Sequence, residues 1–133
     1  MASTEQPTTA GTRGVRPHPG WSALIGLTSL GVLLQGLWAG LFLRRDADVG
    51  TWVLVHEHGA EATVTLAILA TVAAAVWLRH RRDLLVGTAL LLVLLVVEYF
   101  LGQAGGGGVV LHVPLAMLLM GLAVWLPMAA RRG

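Results

Sequence analysis

Long apolar stretches alternate with short polar connections along most of the chain. A helix needs about 20 predominantly apolar residues to cross the hydrocarbon core of a bilayer. Four stretches meet that requirement, and they cover residues 21–43, 51–78, 84–101 and 110–128. The pattern therefore predicts an all-α membrane protein with four transmembrane helices.

The connections between the four stretches are short, so consecutive helices are expected to lie antiparallel in an up-down bundle. Residues 1–20 are rich in Thr, Gly and Pro and are predicted to be a disordered cytoplasmic tail, leaving residues 21–130 as the bundle. The segment Ala104–Gly108 is predicted to be a flexible loop that gives the fourth helix slack. Gly36 and Gly40 form a GxxxG step on the first helix, a spacing that permits close helix contact.

Composition supports the membrane assignment and excludes several classes of protein. Of the 133 residues, 56% are hydrophobic and 12% charged, whereas soluble domains average about 25% charged residues. The chain contains no cysteine, which excludes disulfides, thiolate metal sites and thiol nucleophiles.

The positions of the arginines predict the orientation of the bundle. Seven of the nine arginines precede the first stretch, follow the second or follow the fourth. The positive-inside rule assigns that side to the cytoplasm, which places both termini there and predicts a multi-pass protein of the bacterial cytoplasmic membrane. Because the arginines lie at the ends of apolar runs and form no single patch, they do not indicate nucleic-acid binding.

Acidic, histidine, glutamine and tyrosine residues at membrane depth are confined to the extracytoplasmic half of the predicted bundle. They are Gln35 on the first helix, His56, Glu57, His58 and Glu61 on the second, Glu98, Tyr99 and Gln103 on the third, and His112 on the fourth. Polar groups inside a membrane are costly and usually face a bundle interior or a functional site. This layer is therefore the predicted functional region.

Two histidines on alternate helices suggest a haem site. The second and fourth helices are diagonal neighbours, so His56 and His112 can face each other across the bundle axis as the axial ligands of a b-type haem iron. His58 is the alternative to His56, since the two point to opposite faces of the helix. We prefer His56 because a small-residue stripe beneath it leaves room for a planar ligand; the stripe is Ala60, Thr63, Ala67, Ala70 and Ala74.

Other polar residues have candidate supporting roles. Arg44 and Arg45 lie at the outer rim and can pair with haem propionates, or they can be a juxtamembrane pair offset by Asp46 and Asp48. Glu98 can accept a proton or orient a ligand imidazole, and it can equally be a structural carboxylate bonded to Gln35 or Gln103.

The segments that carry this layout resemble one four-helix half of heme A synthase, and they also resemble small bacterial four-helix membrane proteins. These segments are Leu34-Gln35 with Ala39-Gly40, Val55 to Ala60, and Leu111 to Ala116, within residues 22–130. The resemblance implies b-type haem ligation by His56 or His58 together with His112. The glutamate and arginine pattern that the synthase family places around its ligand histidine is missing here, so the resemblance does not imply the synthase reaction.

Three functions are compatible with these residues. The first is a haem protein in electron transfer or haem handling, whose partner is a quinol or an extracytoplasmic redox protein. The second is a non-haem metal site built from His56, Glu57, His58, Glu61 and His112. The third is a cofactor-free accessory subunit or small transporter, within a homo-oligomer or a larger membrane complex.

Overall fold

A computed structural model describes residues 17–44 and 48–132, and its regular elements are four long helices. Their bounds are α1 Pro19–Phe42, α2 Val49–Trp77, α3 Arg82–Gln103 and α4 Gly106–Ala130. Each helix is long and apolar enough to cross a membrane. The predicted all-α class and the four helices are confirmed, with helix bounds that differ by up to four residues. α1 begins inside the predicted tail, where His18 caps its first turn.

The helices close into a ring. α1 packs against α2, α2 against α3, α3 against α4, and α4 packs back on α1. α2 and α4 are thus diagonal partners, as are α1 and α3. We call the end where α2 and α4 begin the histidine end, and the end where α2 and α4 finish the arginine end.

Hydrophobic packing is concentrated in the half of the bundle nearer the arginine end. Every buried hydrophobic residue in the described chain lies within four ranges, which are 21–32, 67–78, 84–95 and 119–130. Beyond these ranges toward the histidine end, the only buried residues of the described chain are Thr63, Glu98 and Gly108. The four helices therefore form a hydrophobic core over about half of their length, and the half nearer the histidine end buries few side chains.

The small-residue stripe on α2 lies mostly in the half that contains the hydrophobic core. Thr63, Ala67, Ala70 and Ala74 are buried among neighbouring helices, and a Cβ added to Gly31 of α1 would lie 2.5 Å from the Thr63 hydroxyl oxygen. The prediction that this stripe leaves room for a planar ligand is wrong for these four residues, because close packing against the neighbouring helices occupies their surface. Of the five residues of the stripe, only Ala60 is half-buried, and it lies nearest the histidine end.

The connection between α3 and α4 is shorter than the sequence suggests, since it consists of Ala104 and Gly105 alone. Gly105 has a φ of +70°, a conformation that favours glycine, and α4 starts at the next residue. The prediction of a flexible Ala104–Gly108 loop is wrong, since residues 106–108 form the first turn of α4. Gly108 has no space for a side chain, as an added Cβ would collide with the Leu101 carbonyl oxygen.

The first turn of α2 is fixed by a side-chain cap. The Asp48 carboxylate accepts hydrogen bonds from the Thr51 hydroxyl at 2.6 Å and from the Thr51 backbone N–H at 3.3 Å. These bonds stabilise the charged form and lower the pKa of Asp48 below its usual value. The cap defines where the helix that carries His56 begins.

Candidate functional site

His56 and His112 meet across the diagonal of the bundle. Their ring centroids are 6.4 Å apart and the ring planes are inclined at 68°. His56 lies on α2 and also contacts Phe42 at the end of α1, where the centroids are 5.6 Å apart. Phe42 was not among the predicted site residues, because hydropathy alone does not show which face of α1 turns toward His56.

The ring of His112 is held by α3. In the tautomer that carries its proton on Nδ1, His112 donates a hydrogen bond of 3.3 Å to the backbone carbonyl of Glu98. The same nitrogen lies 3.2 Å from Oε1 of the Glu98 carboxylate. Because Nδ1 is engaged by Glu98, the opposite nitrogen, Nε2, is the one left for a ligand.

Each of the four helices contributes one polar side chain to this region. Gln35 comes from α1, His56 from α2, Glu98 from α3 and His112 from α4. Gln35 lies one helical turn below His56, where its amide nitrogen would be 2.7 Å from a Cβ added to Gly59. The four side chains thus form a layer across the whole bundle.

Several buried polar atoms in this layer have no hydrogen-bond partner within the described residues. They are Nδ1 of His56, both amide atoms of Gln35 and both carboxylate oxygens of Glu98. A buried polar group without a partner costs about 1–3 kcal/mol. Such a concentration of unsatisfied polar groups is typical of a functional site.

The residues present fit an iron held by two axial imidazoles. A metal ion bound about 2.0–2.1 Å from a nitrogen of each ring requires ring spacing of the observed order. The site also lies beyond the hydrophobic core, in a part of the bundle where the described residues bury no apolar side chain. The donor set therefore suits a metal group held by two imidazoles.

His58 points away from the bundle axis. Its side chain is 72% exposed and its Nδ1 lies 3.3 Å from the Glu61 carboxylate on the same helix. Glu57 and Glu61 also turn toward α3, where Gln103 donates to Glu57 at 3.2 Å and the Tyr99 hydroxyl donates to Glu61 at 3.4 Å. These contacts form a polar seam between α2 and α3.

This geometry separates the residues of the predicted non-haem metal site into two groups. His56 and His112 face the axis, whereas Glu57 and Glu61 belong to the seam between α2 and α3, and the exposed His58 contacts Glu61 on its own helix. Across residues 17–44 and 48–132, no three His, Asp or Glu side chains are arranged to hold a metal ion.

The predicted propionate partners lie at the same end as the histidines. Arg44 is exposed, two residues after the Phe42 that contacts His56. Arg45 lies outside the described residues. Both arginines therefore stay candidates by position along the chain.

No protein-family model, curated protein or solved structure matches this chain. The chemistry of the site is therefore argued from its own residues: two imidazoles on diagonal helices, a carboxylate behind one of them, and a half-bundle that lacks an apolar core.

Proposed function

We propose that this chain is a membrane-embedded b-type haem protein, with His56 and His112 as the axial ligands and a role in electron transfer or haem handling. The observation that carries the proposal is the facing pair of imidazoles, 6.4 Å apart between centroids, in the half of the bundle without buried apolar side chains. The resemblance of its helix segments to one half of heme A synthase is consistent with the proposal. His58, the alternative ligand, is disfavoured because it faces outward.

Each residue of the layer has a separate task in this proposal. The backbone carbonyl of Glu98 orients His112 by accepting from Nδ1, and a hydrogen bond of this kind also raises the basicity of a ligand imidazole. Gln35 supplies an uncommitted amide beside His56, and Arg44 and Arg45 provide positive charge for propionates at the rim. A bound haem would supply one-electron chemistry at this level of the bundle.

The position of His56 and His112 near one face of the membrane limits which molecules can exchange electrons with the haem. A single redox group near one face of the membrane does not bridge a hydrocarbon core of about 30 Å. The partner is therefore a quinol at the outer interface or an extracytoplasmic redox protein. By the positive-inside rule, the arginine end lies in the cytoplasm and the histidine end faces outward, in the cytoplasmic membrane of a bacterium.

One second candidate is favoured by a specific observation. The contacts of His112 with Glu98, Glu57 with Gln103, and Glu61 with Tyr99 all join neighbouring helices. Polar contacts of this kind hold helices together in membrane proteins. A cofactor-free accessory subunit or small transporter, alone as a homo-oligomer or within a larger complex, would use the same residues for assembly.

Optical spectra of the oxidised and dithionite-reduced protein separate the two candidates. Detergent-purified protein made with ample haem is expected to show a strong Soret peak and sharp reduced α and β bands, the signature of six-coordinate haem. His56→Ala and His112→Ala are each expected to remove this signature, because each deletes one axial ligand.

His58→Ala is the matched control, since it removes an exposed imidazole only two residues from His56. It should leave the spectrum intact. A featureless visible spectrum from the unaltered protein would overturn the haem proposal and leave the accessory-subunit candidate. Full haem content in both His56→Ala and His112→Ala would overturn the ligand assignment.

A further inference from the structure

The arginine end of the bundle carries a dense cationic surface that the haem proposal does not use. Four exposed arginines lie there, which are Arg79 and Arg82 in and beside the α2–α3 turn and Arg131 and Arg132 after α4. His80 is exposed in the same turn. We call the four arginines the basic cap.

A fifth arginine joins the two segments of the basic cap. Arg81 binds the Asp83 carboxylate through two hydrogen bonds, of 3.1 and 2.9 Å. Its guanidinium also donates to the Ala129 carbonyl at 3.3 Å, and the same carbonyl accepts from the Arg132 backbone N–H at 3.2 Å. The α2–α3 turn is therefore held against the end of α4.

The charge of this surface is almost unopposed among the described residues. Asp83 is the sole acidic residue at the arginine end within residues 17–44 and 48–132, and Arg81 already binds it. Arg79 makes one long hydrogen bond, from its Nε to the Ala75 carbonyl at 3.3 Å, which leaves the rest of its guanidinium exposed. The basic cap thus presents four guanidinium groups without a carboxylate among them.

Two exposed tryptophans indicate where the basic cap lies relative to the membrane surface. Trp77 and Trp125 are 46% and 43% exposed on the outer surface of the bundle, just inside the arginines. Exposed tryptophans are enriched where hydrocarbon meets headgroups. The arginines therefore lie at the level of lipid phosphates, which guanidinium groups bind through paired, charge-assisted hydrogen bonds.

We propose that the basic cap is a binding site for the headgroup of an anionic phospholipid. Charge complementarity selects an anionic over a zwitterionic lipid, and the position of the cap at the ends of spanning helices selects a lipid phosphate over a free anion. Arg81 has a positioning role, because it connects the turn to α4 without offering a free guanidinium. The site is independent of the haem proposal.

The test measures lipid selectivity of the full chain in phosphatidylcholine bilayers by electron paramagnetic resonance. Spin-labelled phosphatidylglycerol and spin-labelled phosphatidylcholine report the fraction of each lipid immobilised at the protein. Juxtamembrane basic residues favour anionic lipid by about fivefold each. Replacing all four arginines with glutamine is therefore expected to reduce the preference for phosphatidylglycerol at least fivefold.

Matched variants keep the result interpretable. Replacing the same four arginines with lysine retains the positive charge and should retain most of the preference. If the fourfold variant does not fold, the pairs Arg79→Gln with Arg82→Gln, and Arg131→Gln with Arg132→Gln, should each lose part of the preference.

Two outcomes would overturn the proposal. One is equal selectivity in the unaltered protein and in the glutamine variants. The other is loss of the phosphatidylglycerol preference on adding inorganic phosphate but not chloride of the same ionic strength, which would identify a site for free phosphate.

Discussion

At the scale of single residues, the site depends on how α3 holds the ring of His112. The backbone carbonyl of Glu98 accepts from Nδ1 at 3.3 Å, and Oε1 of its carboxylate, which makes no hydrogen bond within the described residues, lies 3.2 Å from the same nitrogen. Only the carboxylate can be changed by substitution. Removing it should therefore loosen the imidazole while the backbone bond still restricts it.

Substitution of Glu98 tests this arrangement. Glu98→Gln keeps an oxygen acceptor of similar reach and should retain haem and its spectrum. Glu98→Leu removes the acceptor and should lower haem retention while keeping the six-coordinate spectrum of the haem that remains. The readouts are haem content after prolonged washing and the reduced spectrum. Identical retention in both variants would show that the carboxylate does not position His112.

His56 illustrates what the sequence can predict about single residues. Its depth follows from its place in the apolar stretch, and its inward direction follows from the small residues on the same face. The partners of Glu57 and Glu61 could not be predicted, because they depend on the rotation of α2 and α3 about their own axes. In a membrane protein, the lipid-facing and core-facing sides are both apolar, so the sequence carries little information on that rotation.

At the scale of helices, Gly59 marks a close contact between α1 and α2 at the level of Gln35. A Cβ added to Gly59 would collide with the ring of Trp38 and would lie 2.7 Å from the Gln35 amide nitrogen. Gly36 of α1, in contrast, has no atom within 4 Å of an added Cβ. The GxxxG step that the sequence suggests for helix contact is therefore not used within the bundle at Gly36, whereas Gly59 is a contact glycine.

A pair of glycine substitutions tests this difference. Gly59→Leu should destabilise the protein by about 1–3 kcal/mol, the usual cost of overpacking, because α1 must move away from α2. Gly36→Leu is the control and should leave the stability within about 0.5 kcal/mol of the original. Thermal unfolding of the detergent-solubilised variants measures both. Equal stability of the two variants would contradict the packing of α1 on α2 described above.

The number of helices and their approximate bounds could be predicted, because length and hydropathy determine whether a segment can span a bilayer. The helical start of α4 could not, since three glycines in succession have low intrinsic helix propensity. Tertiary packing overrides that propensity here, as Gly108 fits against the Leu101 carbonyl where a larger residue would not.

At the scale of the whole molecule, the bundle has two unlike halves. The half nearer the arginine end contains the hydrophobic core, and the half nearer the histidine end contains the polar side chains of the candidate site and few buried ones. The arginines lie beyond the half that contains the core and the histidines lie within the other. The orientation of the bundle in the membrane therefore decides which compartment the arginines face and which the histidines face.

Reporter fusions test the orientation. Green fluorescent protein attached after residue 133 should be fluorescent in intact bacteria, because the positive-inside rule places this end in the cytoplasm. Alkaline phosphatase fused after Arg44, truncating the chain there, should be active because the same rule places the end of α1 on the opposite, extracytoplasmic side. The reverse pattern would place the histidine layer on the cytoplasmic side and exclude an extracytoplasmic redox partner.

Each histidine of the facing pair makes a contact within its own helical hairpin, and this has a consequence for biogenesis. His56 touches Phe42 within the α1–α2 hairpin, and His112 touches Glu98 within the α3–α4 hairpin, whose connection is only Ala104 and Gly105. Each hairpin can insert into the bilayer and orient its own imidazole before the other is complete. The facing pair then arises only when the two inserted hairpins associate laterally, so the last step of assembly is also the step that creates the site.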